Sequence, residues 1–99
     1  MFHTPRQGNE TFLVKAKGDS MEPRIYDGDL VLVKKQQIAD SGEIVVCIND
    51  EEALIKKLLR MNKTVMLMSL NSNYQPFLPA EDFRIEGVVT GIISRMALK

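Results

Sequence analysis

The chain has 99 residues, enough for one domain, and with 44% of them hydrophobic it can bury a real core, although so small a domain has a thin stability margin. Its 13 basic groups balance 13 acidic ones, which argues against a freestanding nucleic-acid binder or a polybasic membrane anchor. The single cysteine, Cys47, excludes an internal disulfide and fits a reducing compartment, and no apolar run approaches the ~18 residues of a membrane span.

Residues 1–10 are polar, carry Pro5 and Gly8, and are expected to form an extended arm too polar for a secretory signal. Residues 11–99 are then one soluble, cytoplasmic domain. Thr11–Ala16 is short and β-favouring and predicts a strand. From Met21 to Tyr26 there is room for one helical turn at most, because Pro23 and Gly28 punctuate the segment. Leu30–Lys34 and Glu43–Ile48 predict two more strands, separated by a polar connector that turns at Asp40-Ser41-Gly42. Asn49-Asp50-Glu51 reads as a hairpin loop. Glu52–Arg60 has a helix-favouring composition, yet hairpin signals flank it, so it is read as a strand. Asn62-Lys63 makes the next turn, and Thr64–Leu70 the next strand. Asn71–Asp82 is loop. Phe83–Glu86 alternates apolar and polar, and Gly87–Arg95 is a last β-rich run. Turn signals recur about every 8–12 residues, which indicates an all-β or mostly β domain.

The stretch with chemical promise is Lys17-Gly18-Asp19-Ser20-Met21-Glu22-Pro23, followed by Asp27-Gly28-Asp29. A Ser in such a turn can be held exposed on a rigid frame, but its hydroxyl is a poor nucleophile until a base takes the proton. The one histidine, His3, lies in the polar arm and is badly placed for that task. Paired Cys or His ligands are absent, so no metal is expected, and the isolated glycines form no phosphate loop, so no cofactor is expected either. Cys47 sits in an apolar strand and reads as a small buried hydrophobe.

A lysine remains as the base. Its amine, with an ordinary pKa of about 10.4, must fall to about 7–8 to work, which costs about 4 kcal/mol. Desolvation supplies such a shift, so the useful lysine should lie within an apolar segment. Lys56 and Lys57 qualify best, between Leu54-Ile55 and Leu58-Leu59. Strand alternation puts them on opposite faces, and periodicity does not choose between them. On these residues alone, a turn and an ordinary lysine pair on a half-exposed strand remain the plainer reading.

Gly18-Asp19-Ser20-Met21, Asp27-Gly28-Asp29-Leu30, Gly42-Glu43-Ile44-Val45-Val46 and Ile55-Lys56-Lys57-Leu58, in this order and spacing, resemble the LexA/UmuD family of serine-lysine peptidases. Leu70-Asn71-Ser72-Asn73-Tyr74-Gln75-Pro76 is similar to the family's Asn-Ser-x-aromatic-x-Pro loop, and Ile85-Glu86-Gly87-Val88-Val89 to its closing strand. The resemblance implies a mostly β domain of strongly bent antiparallel sheets. It implies Ser20 as nucleophile and Lys56 as general base, with Lys57 a non-catalytic neighbour. The backbone N–H groups of Asp19 and Ser20 would hold the oxyanion. It further implies a homodimer through C-terminal strands near Gly87–Arg95, stimulation by the RecA–single-stranded DNA filament, and DNA contact only through a separate domain.

The family's self-cleaved bond is typically Ala-Gly or Cys-Gly, well upstream of the Ser. Neither dipeptide occurs among the 19 residues before Ser20, and Gln7-Gly8 is a poor substitute. There is no room here for an N-terminal helix-turn-helix. The chain is therefore expected to be a processed or truncated fragment, or a member without the cleavage site. The expected function is the peptidase and dimerisation domain of a self-cleaving transcriptional repressor, SOS- or phage-related. A UmuD-like accessory subunit of an error-prone polymerase and a non-catalytic dimerisation module are the alternatives. A membrane signal peptidase shares the Ser-Lys chemistry but would need an anchor.

Overall fold

The computed structural model describes residues 10–94. Most of the expected arm, with His3 and Gln7-Gly8, and the end of the chain from Arg95 lie outside them. The described residues form six strands: β1 (Thr11–Lys15), β2 (Leu30–Lys35), β3 (Ile44–Asn49), β4 (Glu52–Met61), β5 (Thr64–Met68) and β6 (Arg84–Ile93). They make one antiparallel sheet in the order β1-β2-β6-β3-β4-β5. The mostly β expectation holds, with all six strands in a single hydrogen-bonded sheet. Two register shifts, at Leu32/Val33 against β6 and at Val46/Cys47 against β6, interrupt the ladders. Such bulges bend a strand and sharpen its twist.

The turns explain the meander from β3 to β5. Asn49 pairs with Glu52, so Asp50 and Glu51 form a two-residue loop, and both have positive φ (53° and 66°). That is the backbone of a mirror-image turn whose twist suits a hairpin. Asn62, also at positive φ (58°), turns β4 into β5. With hairpins at both ends, β4 is a strand despite its helix-favouring residues, because cross-strand pairing outweighs intrinsic propensity.

The last strand is longer than either run read from the residues one by one. Arg84–Ile93 runs unbroken through Gly87, joining the alternating Phe83–Glu86 and the β-rich run from Gly87 into one strand, as the closing-strand motif Ile85–Val89 implied. A Cβ at Gly87 would lie 2.4 Å from a Val33 methyl and 2.7 Å from the Lys34 carbonyl oxygen, so glycine there admits the neighbouring strand. At the other boundary β5 stops at Met68, and Ser69 leaves the ladder.

Two apolar clusters share β3. Val45 and Cys47 pack with Leu58, Leu67 and Val88, whereas Val46 between them packs with Val31, Val33, Met21 and Ile25. Alternation along one strand thus buries both of its faces. The second cluster is covered by the loop from Ala16 to Asp29. Its two ends are tied together by Ala16 N–H to Asp29 O (2.8 Å) and Gly28 N–H to Ala16 O (2.9 Å). Within it, Arg24 and Ile25 both donate to Met21 O, one helix-like turn that goes no further. This loop carries Ser20.

Candidate active site

Burial of Met21 and Ile25 anchors the Ala16–Asp29 loop, and Ser20, beside Met21, is held half-buried at its rim. Gly18 opens the turn at φ 82°, a conformation that costs glycine nothing, and its N–H donates to the Asp27 carboxylate at 2.8 Å. Lys56 arrives from the middle of β4 on the same side as Leu54 and Leu58. Its Nζ lies 2.8 Å from Ser20 Oγ and 3.0 Å from Ser69 Oγ. Thus residues 36 apart in sequence meet. Lys57 projects from the opposite face of the strand and takes no part in this row.

The lysine is 8% exposed and Ser69 3%. Burial holds the Lys56 amine below its ordinary pKa, opposed by any charge on Cys47. Burial also pushes the Cys47 thiol up to about 11, so at neutral pH it stays uncharged and leaves the amine's shift standing. Both polar partners of the amine are hydroxyls. A neutral hydroxyl orients the amine without adding the charge that would favour its protonated form.

The loop after β5 closes over the Ser20 turn. Asn71 N–H donates to Ser20 O (2.9 Å), and Asn71 Nδ2 donates to Asp19 O (3.0 Å). Tyr74 donates its hydroxyl to the Asp19 carboxylate, and its ring centroid stands 5.9 Å from Lys56 Nζ. The carbonyls of Asp19 and Ser20 are therefore both occupied. Their N–H groups meet no backbone or side-chain acceptor among the described residues.

A cleft of about 310 Å³ runs past the hydroxyl–amine pair, between Val14–Gly18 on one side and Ala53–Lys56 on the other. Both walls have open backbone edges: β1 is the end of the sheet, and β4 pairs with β5 only from Lys57 onward. An extended peptide can add to such edges as a further strand. Among the described residues no three His, Cys, Asp or Glu side chains converge as metal ligands do, and no helix is long and apolar enough to cross a membrane.

Sequence reasoning singled out Ser20, Lys56 and the backbone of Asp19, and the structure gathers them in one place. It missed Ser69, Tyr74 and the carboxylate of Asp19. Ser69 looked like one more strand residue, and a hydroxyl at a strand end carries no signal of what it will touch. The Asn71–Pro76 motif was visible as a motif, but not what it holds.

The sequence profile of the Peptidase S24-like family matches residues 1–90. The LexA repressor of Alcanivorax borkumensis is 44% identical over 85 residues, covering 84% of this chain and 42% of that protein. The LexA repressor of Streptomyces clavuligerus is 41% identical over 100 residues, 97% of this chain and 41% of its own length. That of Clostridium perfringens strain SM101 is 39% identical over 97 residues, 93% and 47% respectively. The chain spans less than half the length of these curated relatives. With the profile and the relatives both running through the Ser20 turn and β4, the chain belongs to the Peptidase S24-like family.

Proposed function

We propose that this chain is the peptidase and dimerisation domain of a self-cleaving transcriptional repressor of the SOS type, acting in the cytoplasm. The observation that carries the reading is the 2.8 Å contact between Lys56 Nζ and Ser20 Oγ, at a buried amine whose pKa is lowered. When neutral, Lys56 accepts the Ser20 hydroxyl proton. Ser20 Oγ then attacks the carbonyl carbon of a peptide bond lying extended in the cleft. The developing oxyanion is held by the N–H groups of Asp19 and Ser20. Lys56 returns the proton to the departing amine, and water resolves the acyl-enzyme with Lys56 again as base.

The bond attacked belongs to a segment upstream in the longer protein. Cutting it separates a dimerising domain from a DNA-binding one, and operator binding weakens because two linked contacts become independent ones. The homodimer forms through the C-terminal part of β6. Val89–Ile93 pairs with β2 on one side, while its pairing with β3 reaches no further than Val88, so an open strand edge is left. The RecA–single-stranded DNA filament is the stimulating partner.

The test is fragmentation of the longest native form, followed by mass at pH 7 and pH 10, with Ser20→Ala and Lys56→Ala beside it. Cleavage that rises with pH and vanishes in both variants supports the reading and locates the bond. No cleavage at either pH, with filaments present, leaves a dimerisation module. Cleavage lost in Lys57→Ala and kept in Lys56→Ala overturns the choice of base.

A further inference from the structure

In a trans peptide unit the C=O and the N–H point in opposite directions within one plane, so whatever grips the carbonyl also sets the N–H. Asp19 O accepts from Asn71 Nδ2 at 3.0 Å and from Glu22 N–H at 3.2 Å. The Ser20 N–H belongs to that same peptide unit and is thereby turned the other way. The next unit is fixed by Asn71 N–H on Ser20 O at 2.9 Å. One residue thus holds the peptides on both sides of the nucleophile. Tyr74 holds the Asp19 side chain through its hydroxyl, and its own N–H is tied to Asn71 O at 3.1 Å. The Asn71 side chain in turn accepts from Asn73 N–H at 2.9 Å, so the brace is itself stiffened.

We propose that Asn71 and Tyr74 are positioning residues for the peptidase reaction, a brace that keeps the Ser20 N–H aimed at the carbonyl oxygen of the substrate. The proposal rests on Ser20 as nucleophile and Lys56 as base. It separates two jobs in the site. The lysine sets when Ser20 is active, and the brace sets how well the charge that follows is received.

The experiment uses diisopropyl fluorophosphate, with the 99-residue chain and intact mass as readout. Ser20 Oγ forms a bond to phosphorus, the phosphorus–fluorine bond breaks, fluoride leaves, and the Oγ proton passes to Lys56. Charge grows on the phosphoryl oxygen, which takes the place of the substrate carbonyl oxygen. The labelling rate against pH has a midpoint set by Lys56 and a plateau set by the oxyanion donors. Asn71→Ala should lower the plateau by about 10–100-fold and leave the midpoint in place. Tyr74→Phe, which keeps the ring over Lys56 and removes only the hydroxyl, should lower it by about 3–10-fold, with Asp19→Ala adding little on top. Should Asn71→Ala fail to fold, Tyr74→Phe at a 44% exposed site still decides the matter. Unchanged plateaus overturn the brace, as does a displaced midpoint with the plateau intact. Labelling of the parent chain that is absent at every pH, or equal in Lys56→Ala, overturns the Ser20–Lys56 reading and the brace with it.

Discussion

The segment between β5 and β6 steadies two turns, and it uses different chemistry at each. At the Ser20 turn its tools are neutral: the Ser69 hydroxyl on Lys56, the Asn71 amide on Asp19 O and the Tyr74 phenol on the Asp19 carboxylate. At the β3–β4 hairpin its tool is a charge. Asp82 accepts the N–H groups of Asp50 (2.7 Å) and Glu51 (2.8 Å), and these bonds hold its carboxyl below the ordinary carboxylate range. Asn49 completes the tie by accepting from Ala80 N–H at 2.7 Å. The hairpin stands in water, where a carboxylate costs little. Lys56 is buried, and a carboxylate in the place of Ser69 would keep the amine protonated. The two ends of one loop thus differ in that only one of them sits beside a buried amine, the group that in the proposed mechanism must lose its charge.

The sharpest test of that contrast removes the amine. Lys56→Met keeps a stem of the same length without the amine and should cut Ser20 reactivity by about 10³-fold. It should also raise stability, and the pH dependence identifies why. The folded-state pKa of Lys56 lies below the unfolded one. Below the folded pKa both states carry the proton and the fold bears the full cost of a buried ammonium. Between the two values the unfolded chain binds more protons, so stability rises with pH until the unfolded lysine titrates. Chemical denaturation from pH 6 to 10 should show this slope in the parent and not in Lys56→Met.

The next variant imposes the hairpin's solution on the site. Ser69→Asp should raise the midpoint of the pH–rate profile and reduce the rate at pH 7 by about tenfold or more, one decade for each unit the amine is raised. Ser69→Ala sharpens the point, since it leaves the amine its Ser20 contact alone. Its rate should fall by about tenfold at a nearly unchanged midpoint, because no charge has been added. The smallest effect belongs to the reverse exchange. Asp82→Asn keeps an acceptor oxygen and should leave Ser20 labelling unchanged. What it should lose is an acid limb: the Asp82 contribution is present above the unfolded carboxylate pKa and disappears as pH falls through the lowered folded value. Thermal melts between pH 2 and 6 would show it. A slower Ser20 in Asp82→Asn would mean that the two braces are coupled.

The strands were legible because turn residues punctuate them. Asn49-Asp50-Glu51 and Asn62-Lys63 marked both hairpins, and they settled β4, whose composition pointed to a helix. Residue by residue, Phe83–Glu86 and Gly87–Arg95 read as two runs, while the closing-strand motif already ran through Gly87; the reason for a glycine there is a tertiary one, the approach of Val33 and Lys34. The Ser20–Lys56 pair was legible on the motif it resembles, whereas residue chemistry alone left Lys57 equally open. Ser69 was not legible. Its value comes from where Lys56 ends, and that depends on the pairing of Lys57 with Met68, which fixes the point where the chain leaves the sheet. Asp19 and Tyr74 meet across 55 residues, a distance at which neither residue hints at the other.

β6 is formed last along the chain, yet it lies between β2 and β3, and no ladder joins those two without it. The hairpin of β1 and β2, whose connecting loop holds Ser20, and the meander that holds Lys56 are therefore separate leaves of one book, and β6 is the spine. While the protein is being synthesised, both leaves exist before the strand that joins them does. A nascent chain halted before Arg84 possesses Ser20 and Lys56 but lacks the strand whose ladders join the two leaves.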